Sequence, residues 1–266
     1  MLLRSFFLTL EYIPMKKYGF LLAGSILASA LSYARPGIIA HRGHWDVPGS
    51  AQNSIASLQM AQQLNIYGSE FDVYLTADGV AVIHHDNTAE GLLLEETPYA
   101  QLKWIKLING EALPTLEQYL AQGKKDRRTK LILEIKPHKR KETEDKAVAA
   151  VLAQVRKAGL SAQTEYISFS LNICETLIRL QPAARVAYLR GDMAPEQLKE
   201  KGLSGLDYHY KVLEQHPEWI RAAQDLGLTV NVWTVNEEPL MQQLVAQGVD
   251  YITTDKPEIL QRLLER

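Results

Sequence analysis

The amino-acid sequence predicts an α/β fold, a (β/α)8 TIM barrel with a small insertion after the second strand. Three observations carry that expectation. Short apolar runs rich in β-branched and aromatic residues alternate with helical patterns from Gly37 onward. About eight such units fit into ~230 residues, the size expected for this barrel. No G-x-G-x-x-G loop follows the first strand candidate, which removes the usual dinucleotide-binding reason to prefer an open doubly wound sheet.

The segment before the first strand reads as separate from the barrel. Met15-Lys16-Lys17 is basic, Tyr18 to Leu31 is mostly apolar, and Ser32-Tyr33-Ala34 ends in small residues at two spaced positions. That is the layout of a secretory signal peptide over residues 1–34, cleaved after Ala34, with Met1 to Pro14 as an upstream extension of a start at Met15. The apolar run is shorter than the ~20 residues of a spanning helix. The mature domain, residues 35–266, is therefore expected to be exported, periplasmic or secreted, with no stable membrane insertion.

Strand candidates follow in order: Ile38 to His41, Gly68 to Tyr74, Leu131 to Ile135, Tyr166 to Phe169, Arg185 to Leu189, Gly205 to Tyr208, Thr229 to Trp233, and Tyr251 to Thr253. Between them, Val148, Val151, Leu152 and Val155 recur at helical spacing up to Ala158. Pro217 to Leu226 and Pro239 to Ala246 repeat the scheme, ending at Gly227 and Gly248, residues suited to a left-handed helix end. One region breaks the alternation. Thr76-Ala77-Asp78-Gly79 is a turn signal, Val80 to His85 is a second extended run, and Asn87 to Leu113 has no clear period. Leu75 to Leu113 reads as the insertion, on the catalytic face, where long loops of compact domains usually carry function.

Composition narrows the function classes. The chain is 46% hydrophobic and 23% charged, ordinary for a globular protein, and its formal net charge of −2 argues against a broad nucleic-acid surface. Cys174 stands alone, so neither an intramolecular disulfide nor a cysteine zinc site can form. A small-molecule substrate is the expected partner; the sequence does not fix an oligomeric state.

The chemistry concentrates at the carboxyl ends of the first three strands, the end where barrels of this type keep their active sites. Glu70 and Asp72 share one face of their strand, as do Glu134 and Lys136 of theirs. Three carboxylates at close range cannot all stay ionised without a cation. Glu70, Asp72 and Glu134 are oxygen donors, which suit Mg²⁺ or Ca²⁺ better than zinc or copper. Arg42 offers a planar fork to a second phosphoryl oxygen, and Lys136 a point charge. His41 and His85 are the expected acid/base pair, because imidazole titrates near neutral pH. His84 alternates away from His85 and is expected to turn from the site.

At these residues the chain resembles the glycerophosphodiester phosphodiesterase family. Ala40-His41-Arg42-Gly43 is similar to its opening motif, and Glu70-Phe71-Asp72-Val73 with Thr76-Ala77-Asp78-Gly79-Val80 and His85-Asp86 to its central signature. Glu134-Ile135-Lys136, Val232-Trp233-Thr234-Val235-Asn236 and Gly248 to Asp255 resemble its later motifs, so the resemblance spans Gly37 to Pro257. It implies the barrel, one divalent metal at Glu70, Asp72 and Glu134, acid/base work by His41 and His85, and phosphate contacts from Arg42 and Lys136. The implied reaction is hydrolysis of a glycerophosphodiester to glycerol 3-phosphate and an alcohol. Because Asn231 shares its inward face and the late motif matches, Trp233 is expected to contact substrate.

Two readings stand beside that one: a non-catalytic binder of polyol phosphates, and a related lyase that releases a cyclic phosphate. Where the family commonly shows Pro-Glu-Asn-Thr, this chain has Ala51-Gln52-Asn53-Ser54. Gln52 removes a negative charge near the expected metal, which should weaken cation binding or retune the accepted diester.

Overall fold

Each of the eight strand candidates forms a strand, and parallel pairing sets their order around the sheet. The computed structural model describes residues 35–266; the expected signal segment, 1–34, lies outside the described residues. The strands are β1 (Gly37–Ala40), β2 (Gly68–Leu75), β3 (Ala81–Ile83), β4 (Thr88–Ala89), β5 (Leu92–Leu93), β6 (Lys130–Ile135), β7 (Thr164–Ser168), β8 (Val186–Tyr188), β9 (Gly205–His209), β10 (Thr229–Trp233) and β11 (Tyr251–Thr254). The helices are α1 (Ile55–Gln63), α2 (Tyr99–Leu102), α3 (Leu116–Gly123), α4 (Lys141–Ala158), α5 (Leu171–Leu180), α6 (Pro195–Glu200), α7 (Tyr210–Gln215), α8 (Glu218–Asp225), α9 (Glu238–Gln247) and α10 (Pro257–Glu265). Parallel pairs run β1-β2-β6-β7-β8-β9-β10-β11, and β11 returns to β1, which closes the barrel.

Closure buries both faces of the strands, and all of β2 from Gly68 to Leu75 is buried. Alternation then sorts the side chains. On β2, Phe71 and Val73 pack outward into the main core beneath the helices, as do Leu133, Tyr166, Tyr188, Tyr208, Val232 and Ile252 on the other strands. The inward set forms a separate cluster, Ile39, Ile132, Ile167 and Leu189, with Phe169 and Trp233 packed on it. That cluster fills the barrel beneath the strand ends, so the carboxyl-terminal face sits on a packed floor.

The insertion has its own small core. β3 folds back antiparallel on β2, pairing Val73 with Ile83, across a turn closed by Thr76 Oγ1 on Asp78 Oδ1 at 2.6 Å. Tyr74, Val82, Ala89, Leu94, Leu102, Ile105 and Leu113 bury one another there. The unperiodic stretch thus becomes a β4–β5 ribbon and the short α2, held by apolar contacts rather than by long elements. Glu111 from this region accepts the backbone N–H groups of Ile55 and Ala56 at 2.9 and 3.1 Å, capping α1 with a negative charge where the helix dipole favours one.

Barrel closure also leaves close approaches. Gly205 pairs with Thr229, and a Cβ there would stand 2.3 Å from Thr229 Oγ1 and 2.5 Å from its carbonyl oxygen. Gly205→Ala is expected to destabilise the fold by about 2 kcal/mol through overpacking. Urea unfolding with an unchanged midpoint would contradict that approach of β9 to β10.

Candidate active site

Register decides which side chains meet at the carboxyl ends of the strands. Asp72 pairs with Glu134 in the β2–β6 ladder, and Glu70 lies two residues back on the same inward face. One ligand oxygen from each of Glu70, Asp72 and Glu134 lies within 4.8 Å of the others, and all three residues are buried. The residues that the sequence singled out as metal ligands are therefore together.

Asp72 is the charged centre of this trio. Asn53 donates its Nδ2 to Asp72 Oδ2 at 2.8 Å and accepts the Asp72 backbone N–H at 3.1 Å. Lys136 Nζ stands 3.2 Å from Asp72 Oδ1 and 2.9 Å from Glu134 Oε1. Burial opposes ionisation of Asp72, yet Lys136, His85, Asn53 and Arg42 together hold its carboxyl below the usual range. The other two go the opposite way. Burial and then the charges of Asp72 and Glu134 push Glu70 well up, against the Arg42 backbone N–H that donates to Oε2 at 2.8 Å. Burial and Asp72 push Glu134 up to about 8 despite Lys136.

Near neutral pH the trio thus lacks the positive charge needed to ionise fully. A hard divalent cation supplies that charge and prefers an all-oxygen donor set, so these residues fit such an ion. Lys136 itself stays an ammonium, because Asp72 and Glu134 outweigh the cost of its burial.

The two histidines arrive by different routes and end in matching arrangements. His41 follows β1 directly, and its Nδ1 meets Asp255 Oδ1 at 2.8 Å. Asp255 also accepts from Trp45 Nε1 at 3.0 Å and Asn236 Nδ2 at 2.8 Å. Burial resists a charge on Asp255, but these donors outweigh it and bring its pKa down to about 2. His85 returns to the site through the β2–β3 hairpin, and its Nδ1 lies 2.8 Å from Asp86 Oδ1. Burial first, then Lys136 and Arg42, hold its imidazole pKa down, against Asp72 and Asp86. The carboxylate beside each Nδ1 is an acceptor for an Nδ1–H, which leaves Nε2 as the ring nitrogen outside that pair. His84 turns to the Thr88 carbonyl oxygen at 3.2 Å. The cause is not strand alternation, because β3 already ends at Ile83.

Arg42 sits at φ 55°, and Gly43 follows at φ 78°, where a Cβ would strike Ser57 Oγ at 2.3 Å. This turn sends the Arg42 guanidinium over the trio. Its Nη1 donates to Gln52 Oε1 at 2.7 Å, and its buried Nε, 3.8 Å from Asp72 Oδ2, makes no hydrogen bond. Gln52 therefore anchors the arginine and is not a fourth member of the carboxylate group.

His41, Arg42, Glu70, Asp72, His85 and Glu134 line one side of a cavity of about 250 Å³; Ile167, Phe169, Leu189 and Trp233 line the other. The Trp233 indole N–H donates to the Asp207 carbonyl oxygen at 2.8 Å, and its ring meets Phe169 edge-on at 5.6 Å. Arg42 and His85 also face a wider outer groove of about 730 Å³ that Gln52, Lys106 and Ile108 help to line. Reading the sequence missed the positioning parts Asp255, Asn53 and Trp45. Asp255 lies 214 residues from His41 along the chain, so its place at the end of the last motif, just past a strand end, was the signal. Asn53 offered another, as a residue type that tolerates the left-handed backbone it adopts at φ 60°.

The chain resembles known proteins over nearly all of this architecture. The model of the glycerophosphoryl diester phosphodiesterase family matches residues 41–259. A solved glycerophosphodiester phosphodiesterase from Parabacteroides distasonis is 48% identical, with a TM-score of 0.87 over 88% of this chain and 98% of that one. A phosphodiesterase from Oleispira antarctica, solved in complex with its product sn-glycerol-3-phosphate, is 26% identical, with a TM-score of 0.75 over 87% of this chain and 98% of that one. A glycerophosphodiester phosphodiesterase from Caldanaerobacter subterraneus is 27% identical over 246 residues, 86% of this chain and 98% of that protein. With the barrel, the acidic trio and these matches in agreement, the chain belongs to the glycerophosphoryl diester phosphodiesterase family.

Proposed function

We propose that this phosphoric diester hydrolase cleaves glycerophosphodiesters to glycerol 3-phosphate and an alcohol, with one Mg²⁺ or Ca²⁺ at Glu70, Asp72 and Glu134. The observation that carries the reading is the convergence of three buried carboxylates beside two carboxylate-paired histidines in one cavity. The product bound to the Oleispira relative supports the choice of substrate class.

A divalent cation bound to the trio would polarise a phosphoryl oxygen and neutralise charge as it develops. The rest falls to this chain's own side chains. Arg42 lines the cavity, and the guanidinium N–H groups that its bond to Gln52 leaves over turn to a second phosphoryl oxygen. Once Asp72 and Glu134 have another cation to satisfy them, Lys136 can direct its ammonium at the phosphate. One imidazole takes the proton of the attacking oxygen through Nε2, and the other gives a proton to the departing alcohol. Asp255 and Asp86 each accept the Nδ1–H, so that Nε2 of the neutral base is free to take a proton and Nε2 of the imidazolium acid carries the one it gives. Trp233 and Phe169 offer apolar faces to the carbon skeleton and keep that side of the cavity dry.

Three measurements test the reading. Chelation should abolish release of glycerol 3-phosphate, and Glu70→Ala should weaken Mg²⁺ or Ca²⁺ binding by about tenfold or more with the fold intact; full activity in that variant would remove the metal role. His41→Ala and His85→Ala should each slow glycerophosphocholine hydrolysis by about 100- to 10,000-fold. A p-nitrophenol leaving group should rescue the variant that lost the acid and not the other; rescue of both or neither would contradict a divided acid/base pair.

The third test follows from the raised pKa of Glu134. Its pKa lies near 8 in the fold and about 4.3 in an unfolded chain, so the folded state binds its proton more tightly. Its stabilising contribution is full below about 4.3 and is lost as pH rises through about 8. Without metal, wild-type protein should therefore lose Tm relative to Glu134→Gln between about pH 5 and pH 8. Added divalent cation should restore the wild-type Tm and leave the variant unmoved. A wild-type Tm that tracks the variant across this range would show that Glu134 carries no such penalty.

A further inference from the structure

A fourth buried carboxyl lines the active-site cavity, and the proposed reaction does not use it. Asp207 lies on β9, across the barrel from β2. Its neighbours Leu206 and Tyr208 pack into the outer core, so alternation turns Asp207 inward. It is 2% exposed, and its Oδ1 has no hydrogen-bond partner. No ion pair reaches it among the described residues. Asn231, its register partner on β10, exchanges hydrogen bonds with Thr253 at 2.9 and 3.2 Å. Thr253 lines the same cavity.

A buried polar atom left without a partner costs stability, and an apolar side chain here would avoid that cost. An unfilled acceptor on a residue that lines a cavity is instead suited to a ligand donor. Charge decides which donor. A carboxyl repels the phosphate, which belongs with Arg42 and the trio on the opposite wall. The group that fits against Asp207 is a neutral hydroxyl, with Phe169, Leu189 and Trp233 flanking the carbon atoms between. Burial pushes the Asp207 pKa up to about 7, offset in part by Asn231, so near neutral pH the group can accept from or donate to such a hydroxyl.

We propose that Asp207 forms a hydroxyl-binding subsite that selects the polyol end of the substrate. The assignment rests on the phosphodiesterase reading for the position of the phosphate. A site built to hydrogen-bond a hydroxyl rejects analogues that lack it, so Asp207 sets specificity here and is not the acid or the base.

The test is calorimetric titration of glycerol 3-phosphate and of inorganic phosphate, in Mg²⁺ or Ca²⁺, into wild type, Asp207→Leu and Asp207→Ala. Leucine removes the acceptor while keeping bulk; alanine removes it without crowding the cavity. Both variants should bind glycerol 3-phosphate about 10- to 100-fold more weakly, the size of a hydrogen bond to a charged group. Phosphate affinity should stay within about twofold, and Tm should hold or rise as the buried, unbonded Oδ1 is removed. Equal loss for both ligands, no loss for either, or a lower Tm in both variants would overturn the subsite. So would wild-type binding of glycerol 3-phosphate no tighter than phosphate. A wild type that binds glycerol 3-phosphate selectively through Asp207 yet cleaves no glycerophosphodiester would sink the hydrolytic reading and leave the subsite standing.

Discussion

The constraint on which the site depends is the parallel register of β2 against β6, which sets Asp72 beside Glu134 with Glu70 on the same face. Shifting that ladder by one residue would turn one set of carboxylates outward among Phe71, Val73, Leu133 and Ile135, where burial without partners is costly. In the observed register the carboxyls face one another inside the barrel, and repulsion replaces desolvation as the problem. The protein answers with Lys136, Asn53 and the Arg42 backbone N–H, but these suffice for Asp72 alone. Glu70 and Glu134 remain raised, so the fold is left with an affinity for added positive charge. A site that is electrostatically incomplete by itself could hold a cation, as the proposed function requires.

Around that centre the other groups are held by partners from distant parts of the chain. Asp255, at the end of the last barrel strand, fixes His41 at the end of the first, an arrangement available only because β11 closes onto β1. Trp45 and Asn236 converge on the same carboxylate, so the His41 ring is fixed by a network rather than by one bond. His85 is less enclosed: it is paired with its sequence neighbour Asp86 and stands where the inner cavity meets the outer groove. The insertion contributes to this order from outside. Its small apolar core steadies the β2–β3 hairpin that delivers His85, and Glu111 caps α1, whose preceding turn carries Asn53.

The cavity has two chemically different walls. Charged and titratable groups occupy the β1, β2 and β6 side, and Ile167, Phe169 and Leu189 make the β7 and β8 side apolar. Asp207 interrupts the apolar wall at the point farthest around the barrel from β2. A phosphate and a hydroxyl-bearing carbon chain differ in these same respects, so under the proposed function the distribution of polarity would orient the substrate. Gln52 carries no charge and holds Arg42 through its amide oxygen, while the three carboxylates converge without it.

Local chemistry in the chain determined the eight strands, the position of the insertion, and the chemical types that gather at the strand ends. Period-two alternation put Glu70 with Asp72 and Glu134 with Lys136, and the short β-rich runs marked the strands to within about two residues. The sequence could not reveal contacts between residues far apart in it, because alternation fixes a face and leaves the facing partner open. The His41–Asp255 pair, the Asn53 clamp on Asp72 and the Gln52 anchor on Arg42 all depend on how strands and loops are brought together. The same holds for Asp207, which reads in sequence as one acidic residue in a strand and becomes informative only when the closed barrel buries it with Oδ1 unbonded. Residue type was thus local information, whereas charge balance, ring orientation and the two-walled cavity were set by the distances that barrel closure imposes.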